Sequence, residues 1–198
     1  MTFDVVKEFE EKIAHFYGAS YAIATDCCTH ALELSLRYAD AKKITIPKRT
    51  YISVPFLAIK LGIEFEWEDT NWKGSYYLGN TNIIDAAVLW EEGSYVPGTL
   101  MCLSFQFQKH LNIGRGGMIL TDDAAAAETL KKMSYDGRVP EKPWREQDID
   151  TVGYHYYMTP ETATLGLQKL PEAIKTKPRQ WVITDWPDLT QMEVFKND

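Results

Sequence analysis

Between residues 21 and 133, short apolar runs of strand length alternate with amphipathic stretches of helical period. No other feature narrows the possible folds as much. Strand–helix repetition lays helices on both faces of a sheet. The expected fold class is therefore α/β, three-layer α/β/α, around a mainly parallel mixed sheet. Residues 21–25, 44–46, 63–67, 82–87, 99–105 and 117–121 read as strands. Residues 31–38 and 51–61 read as helices, the second closed by Gly62. Asp122 or Asp123 caps another helix that runs to Met133.

The flanking segments extend this pattern. Phe9, Ile13 and Phe16 recur at helical spacing over residues 3–17, and Gly18 is placed to end that helix. Residues 68–81 read as loop or weak strand. Residues 134–150 hold two prolines and many charges without a period, as long functional or mobile loops do. Thr159-Pro160-Glu161 is an N-cap, a proline at the first helical position and an acid in the first turn, opening a helix to Leu170. Pro171 and Pro178 punctuate the chain beyond that helix, and the aromatic, acidic tail from Trp181 has no assignable period. Residues 1–175 are expected to form one domain and 176–198 a tail.

Composition removes several function classes. A chain of 198 residues with 45% apolar content builds one sizeable core. A net charge of −7 argues against a dedicated nucleic-acid binder. No apolar run is long enough to cross a bilayer, and the N-terminus lacks a signal-peptide pattern. Three cysteines without framework spacing fit a reducing, cytoplasmic setting. Neither paired CxxC motifs nor HExxH occur, so no metal is expected.

Ligands of open α/β sheets bind at the carboxyl ends of strands. Three chemistry-bearing features fall there. At Cys28-Thr29 a strand hands over to a helix, whose first N–H groups favour an anion, with the Thr29 hydroxyl as a further donor. Asp85 ends an apolar strand and needs a partner: a protonated heterocycle, or the turn that it would cap. Lys109 lies in a polar crossing between two apolar strands, followed by Gly114-Arg115-Gly116-Gly117. Held half-buried, it becomes a better amine nucleophile; a lysine at a strand end is otherwise commonly a surface residue. Tyr51 follows another strand end, where its ring would cover a flat cofactor or pack into the core. A lysine, an acid, an anion cradle and an aromatic cover together describe a site for pyridoxal 5'-phosphate.

These segments resemble the DegT/DnrJ/EryC1/StrS aminotransferase family, from about Phe9 to about Leu170. The resemblance is carried by Asp26-Cys27-Cys28-Thr29-His30-Ala31-Leu32, Ile46-Pro47 with Thr50-Tyr51, and Ile83-Ile84-Asp85-Ala86-Ala87. Ser104 to Lys109, the glycine run after it, and Gly153-Tyr154-His155-Tyr156-Tyr157-Met158 complete it. It implies the large domain of a fold-type-I pyridoxal-phosphate enzyme with the C-terminal small domain largely missing. It implies Lys109 as the Schiff-base lysine, Asp85 as the acid on the pyridine nitrogen and Tyr51 as the stacking aromatic. Cys28, Thr29 and Ser104 match the phosphate cradle. His155 matches an asparagine that a neighbouring subunit brings to the cofactor, so a homodimer is implied.

Besides His155, four positions depart from the family pattern: Cys28 for a glycine, Val88 for Gln or His, Arg115 for an acid, and Tyr157 for Arg. The implied activity is transfer of an amino group from an amino acid or small amine to a keto acid, ketone or keto-sugar, with broad acceptance of small substrates. Arg49, Arg115 and Arg138 are candidate partners for a donor carboxylate. The alternatives are a sugar dehydratase using the same cofactor, or a catalytically reduced relative that binds the cofactor and regulates.

Overall fold

The computed structural model describes residues 3–196. Helix α1 (Asp4–Tyr17) ends at Gly18, whose φ of 80° is the left-handed cap that a side chain would strain. Strand β1 (Tyr21–Thr25), α2 (Cys28–Tyr38), β2 (Lys43–Pro47), α3 (Ser53–Leu61) and β3 (Glu64–Glu68) come after it. Next are β4 (Tyr76–Leu78), β5 (Ile83–Asp85), β6 (Leu100–Ser104), β7 (Gly117–Thr121) and α4 (Ala124–Ser134), with α5 (Pro160–Lys175) near the C-terminus. Asp123 is the cap of α4, its carboxylate accepting from the N–H groups of Ala125 and Ala126.

Five strands pair in the order β1-β7-β6-β5-β4, and β2 pairs with β3. Reciprocal hydrogen bonds between Thr45 and Gly79 join the two sheets, with Gly79 antiparallel to β2. Any side chain at Gly79 would meet the Thr45 hydroxyl at 1.9 Å, so the join depends on glycine. The sheet is mixed as expected, but the parallel share is smaller than its strand–helix alternation suggests. Among the described residues, only β2–β3 and β5–β6 pair in parallel; β1–β7, β6–β7 and β4–β5 are antiparallel. The reason is local. The β4–β5 connection is too short for a crossover and the β6–β7 connection folds back as a turn, so both pairs are antiparallel, whereas the longer β5–β6 connection makes a parallel pair without a helix.

Alternation along each strand divides the core into two layers. Ile23, Ile83, Leu100, Cys102 and Ile119 face α2, α3 and α4. Ala24, Ile84, Met101, Leu103, Met118 and Leu120 face α1 and α5. Both faces are thus covered, which is the three-layer arrangement.

Two segments differ from the sequence expectation. Helix α5 does not stop at Leu170 but continues through Pro171 to Lys175. Proline removes one helical hydrogen bond. Burial of Leu170 and Ala173 offsets that loss, and the Ala173 carbonyl accepts from Trp90 Nε1 at 3.2 Å and lies 2.8 Å from His110 Nε2. The tail is also ordered. It forms three single 3-10 turns, at Ile183–Asp185, Leu189–Gln191 and Glu193–Phe195. Leu189 is buried and its N–H donates to the Lys48 carbonyl at 2.8 Å. Phe195 packs on Phe56 and Trp67. The tail therefore returns across the carboxyl end of the sheet.

Candidate active site

The register brings the site together. Thr25 and Ser104 both lie opposite Gly117, Asp85 lies opposite Cys102, and Tyr76 lies opposite Asp85. A Cβ on Gly117 would meet the Cys27 backbone at 2.3 Å. Glycine there lets the start of α2 press directly onto the sheet edge. The cavity this creates measures about 270 Å³. Its lining includes Lys109, Asp85, Tyr51, Cys28, Thr29 and Ser104, six of the expected site residues.

His155 is not in that lining. Its ring is exposed on the same chain, with Nδ1 3.0 Å from the Asp136 carboxylate. Of the three candidate carboxylate partners, only Arg115 lines the cavity. Arg49 donates to the Trp186 carbonyl at 2.9 Å, and Arg138 stacks over Tyr135.

Lys109 occupies the turn between β6 and β7. Its backbone N–H donates to the Gln106 carbonyl at 2.8 Å, while Phe105 and Phe107 pair with Gly116 and Gly114. Gly114, at a φ of 83°, closes that turn. Burial lowers the affinity of the Lys109 amine for its proton, although Cys28 and Asp85 act in the opposite sense. Lys109 Nζ lies 5.4 Å from the ring centre of Trp181 and 5.8 Å from that of Trp186. Both tryptophans come from the tail.

Asp85 is 5% exposed. Its Oδ2 accepts from Tyr76 at 2.5 Å and its Oδ1 from the Ala87 N–H at 3.0 Å. The second contact is the turn cap expected of a strand-end aspartate. Tyr76 in turn contacts the Thr50 hydroxyl. Burial raises the Asp85 pKa; the two hydrogen bonds and the Lys109 charge only moderate the rise. An acid in that position gains from a cation brought against it.

The anion cradle has two helix starts. Neither α2 nor α3 has a side-chain cap at its N-terminus, and Thr29 and Ser53, one from each first turn, are 2.9 Å apart between hydroxyls. Both line the cavity, with Ser104 and Arg115. Two helix starts and three hydroxyls favour a dianion such as a phosphate monoester. The two buried cysteines, Cys28 and Cys102, are held as thiols and are poor nucleophiles. Burial holds the Cys28 thiol well above its ordinary pKa and pushes Cys102 up to about 12. The residues present thus fit pyridoxal phosphate by the chemistry of the donor set: an amine, a buried acid, and donors for a phosphate.

Beside α2, Asp26 accepts from Arg115 at 2.7 Å and lies 2.6 Å from His30 Nδ1. Burial alone would lower the His30 pKa, but the contacts with Asp26 and Cys27 outweigh it and push the imidazole up to about 9. A raised histidine pKa means that the stabilisation is full below the ordinary 6.5 and is lost as pH rises through about 9. An NMR titration of His30 is expected to show that midpoint, and Asp26→Asn to lower it by more than one unit. An unmoved midpoint would show that Asp26 does not hold the charge.

Thr50, from the Thr50-Tyr51 segment, also lines the cavity, as do Tyr76, Ser53 and Trp186, whose sequence context does not single them out. For Tyr76 the available signal is the strand-favouring run Tyr76-Tyr77-Leu78, which is too short to separate strand from loop.

Comparison with known proteins agrees with this architecture. The chain is 23% identical over 218 aligned positions to the spore coat polysaccharide biosynthesis protein SpsC of Bacillus subtilis (strain 168), covering 83% of this chain and 56% of SpsC. The crystal structure of AtS13 from Actinomadura melliaura superposes with a TM-score of 0.77 at 19% identity, covering 88% of this chain and 61% of AtS13. Sugar aminotransferase CalS13 from Micromonospora echinospora gives 0.74 at 13% identity, covering 86% and 61%. The chain spans 56–61% of the length of these three relatives. The profile of the DegT/DnrJ/EryC1/StrS aminotransferases matches residues 1–72 and 93–184, a span that holds every singled-out site residue except Asp85. With the sheet, the cavity and this match in agreement, the chain belongs to the DegT/DnrJ/EryC1/StrS aminotransferase family.

Proposed function

We propose that the chain is a pyridoxal-phosphate-dependent transaminase that takes an amino group from an amino acid or small amine and gives it to a carbonyl acceptor. The reading rests on one observation. Lys109 and the buried Asp85 line a single cavity whose rim is formed by two uncapped helix starts. When bound, pyridoxal phosphate supplies an aldehyde open to amines and a cationic ring that withdraws electrons from the bond being broken.

The chain's own residues then divide the work. Thr29, Ser53, Ser104 and the first N–H groups of α2 hold the phosphate. Asp85 keeps the ring nitrogen protonated. Each of its oxygens already accepts one hydrogen bond and has a lone pair left for that N–H. Tyr51 covers the ring. Lys109 Nζ would be the amine that holds the cofactor's aldehyde and, when free, the base placed to take and return the proton of the donor's α-carbon. Its lowered pKa keeps more of the amine in the free-base form that both tasks need. His155 lies outside the cavity, so the role expected of it needs a second copy of the chain, and the working form in this reading is a homodimer.

Adding pyridoxal phosphate to the purified chain should produce a visible absorbance band that stays with the protein through gel filtration. Borohydride reduction and peptide mapping should then place the cofactor on Lys109. A label on another residue, or none, would sink the reading.

A further inference from the structure

A second cavity, of about 80 Å³, shares Lys109, Ser104 and Gln108 with the first. Its outer wall is the tail, through Pro178, Arg179 and Trp181. The Arg179 guanidinium lies 3.9 Å from the Trp181 ring centre, and its Nη2 donates to Asp185 at 2.5 Å. Arg179 and Lys109 thus both lie within 6 Å of one indole. The guanidinium rests over that ring, and the Asp185 contact uses only part of its five-donor fork. Trp186, which stacks on Trp181, has a buried indole N–H without a partner among the described residues. A buried donor in that state is stabilised by an acceptor that arrives with a ligand.

These features suit a short carboxylate. It would lie beside the reacting nitrogen and against the Arg179 guanidinium, which both border this cavity. Once the Lys109 amine is engaged, Arg179 is the guanidinium left on the wall of this cavity. We propose that Arg179 anchors the carboxylate of the amino donor, so that the donor is a small α-amino acid; this rests on the transaminase reading. Asp185 holds the arginine in place while the site is free. The tail thereby supplies the specificity of the site, and Arg179 is a binding residue rather than a proton carrier.

The test uses propionate and propionamide, equal in size and different in charge, added to the full chain carrying Lys109→Ala. That background removes the competing amine and needs no cofactor. NMR should show the Arg179 Nε–H and Trp181 indole signals shifting saturably with propionate and not with propionamide. Arg179→Gln should weaken propionate by about tenfold or more, and Arg179→Lys should recover part of the loss. Equal affinity of propionate for the Arg179→Gln chain, or equal binding of propionamide, overturns the proposal. In otherwise unaltered protein, the preference for L-alanine over L-alaninamide, measured as kcat/KM, should fall by a similar factor in Arg179→Gln. Failure of Lys109 to take up cofactor would instead sink the transaminase reading, while the propionate titration would still test Arg179.

Discussion

Lys109→Ala is expected to abolish covalent capture of pyridoxal phosphate and to lower transamination by about 10⁴-fold or more. Proton transfer by a positioned side chain alone contributes on the order of 10²–10⁴. Here the same amine is also the nucleophile, so both contributions go together. The fold should survive, because Nζ contributes two cation–π contacts of about 0.5–1 kcal/mol each and stands partly buried at a desolvation cost. The pH dependence has a definite sign. A lysine with a depressed folded pKa binds fewer protons in the native state than in the unfolded state. Wild-type stability without cofactor therefore rises with pH from the lowered value up to the ordinary 10.5. The alanine variant should lack that rise. Stopped-flow half-reactions and denaturation curves at several pH values measure both effects. Activity within tenfold of wild type would remove Lys109 from the chemistry.

Asp85→Asn separates function from stability. It should lower the half-reaction rate by about 10²–10³-fold, because a neutral amide no longer keeps the ring nitrogen protonated. It should leave the melting temperature of the cofactor-free protein equal or higher. Burial raises the Asp85 pKa, so the native state holds more protons than the unfolded state between the ordinary 3.8 and the raised value. Stability is lost as pH climbs through that window, and asparagine removes the loss. The amide also fits. Its oxygen accepts from Ala87, its nitrogen donates to Tyr76, and the Tyr76 hydroxyl turns to Thr50. A large drop in cofactor-free melting temperature would show that the carboxylate is structural. A full rate with asparagine would show that it is not the acid on the ring.

Much of the framework was legible in the sequence because its signals are local. The helical period of α1 and its glycine stop, the strand at residues 21–25, and the Thr159 cap with Pro160 all depend on neighbours a few positions away. Lys109, Asp85 and the start of α2 could be assigned to one site because each terminates an element of the same sheet. Pro171 misled for the same reason. Local chemistry marks it as a helix stop, while the contacts that carry α5 past it come from Trp90 and His110, far away in sequence.

By itself, the sequence determined the order of strands and helices, and so which residues lie at the carboxyl edge of the sheet. Only the tertiary structure decided what surrounds them. It brings Tyr76 onto Asp85, sets the start of α3 beside that of α2, and swings Trp181 and Trp186 over Lys109, with Arg179 over Trp181. Hydrophobic period is written along neighbouring positions, so it can be read from the chain. A contact such as that of Arg49 with Trp186, 137 positions apart, leaves no periodic trace, because it forms only after the sheet has set where the chain returns.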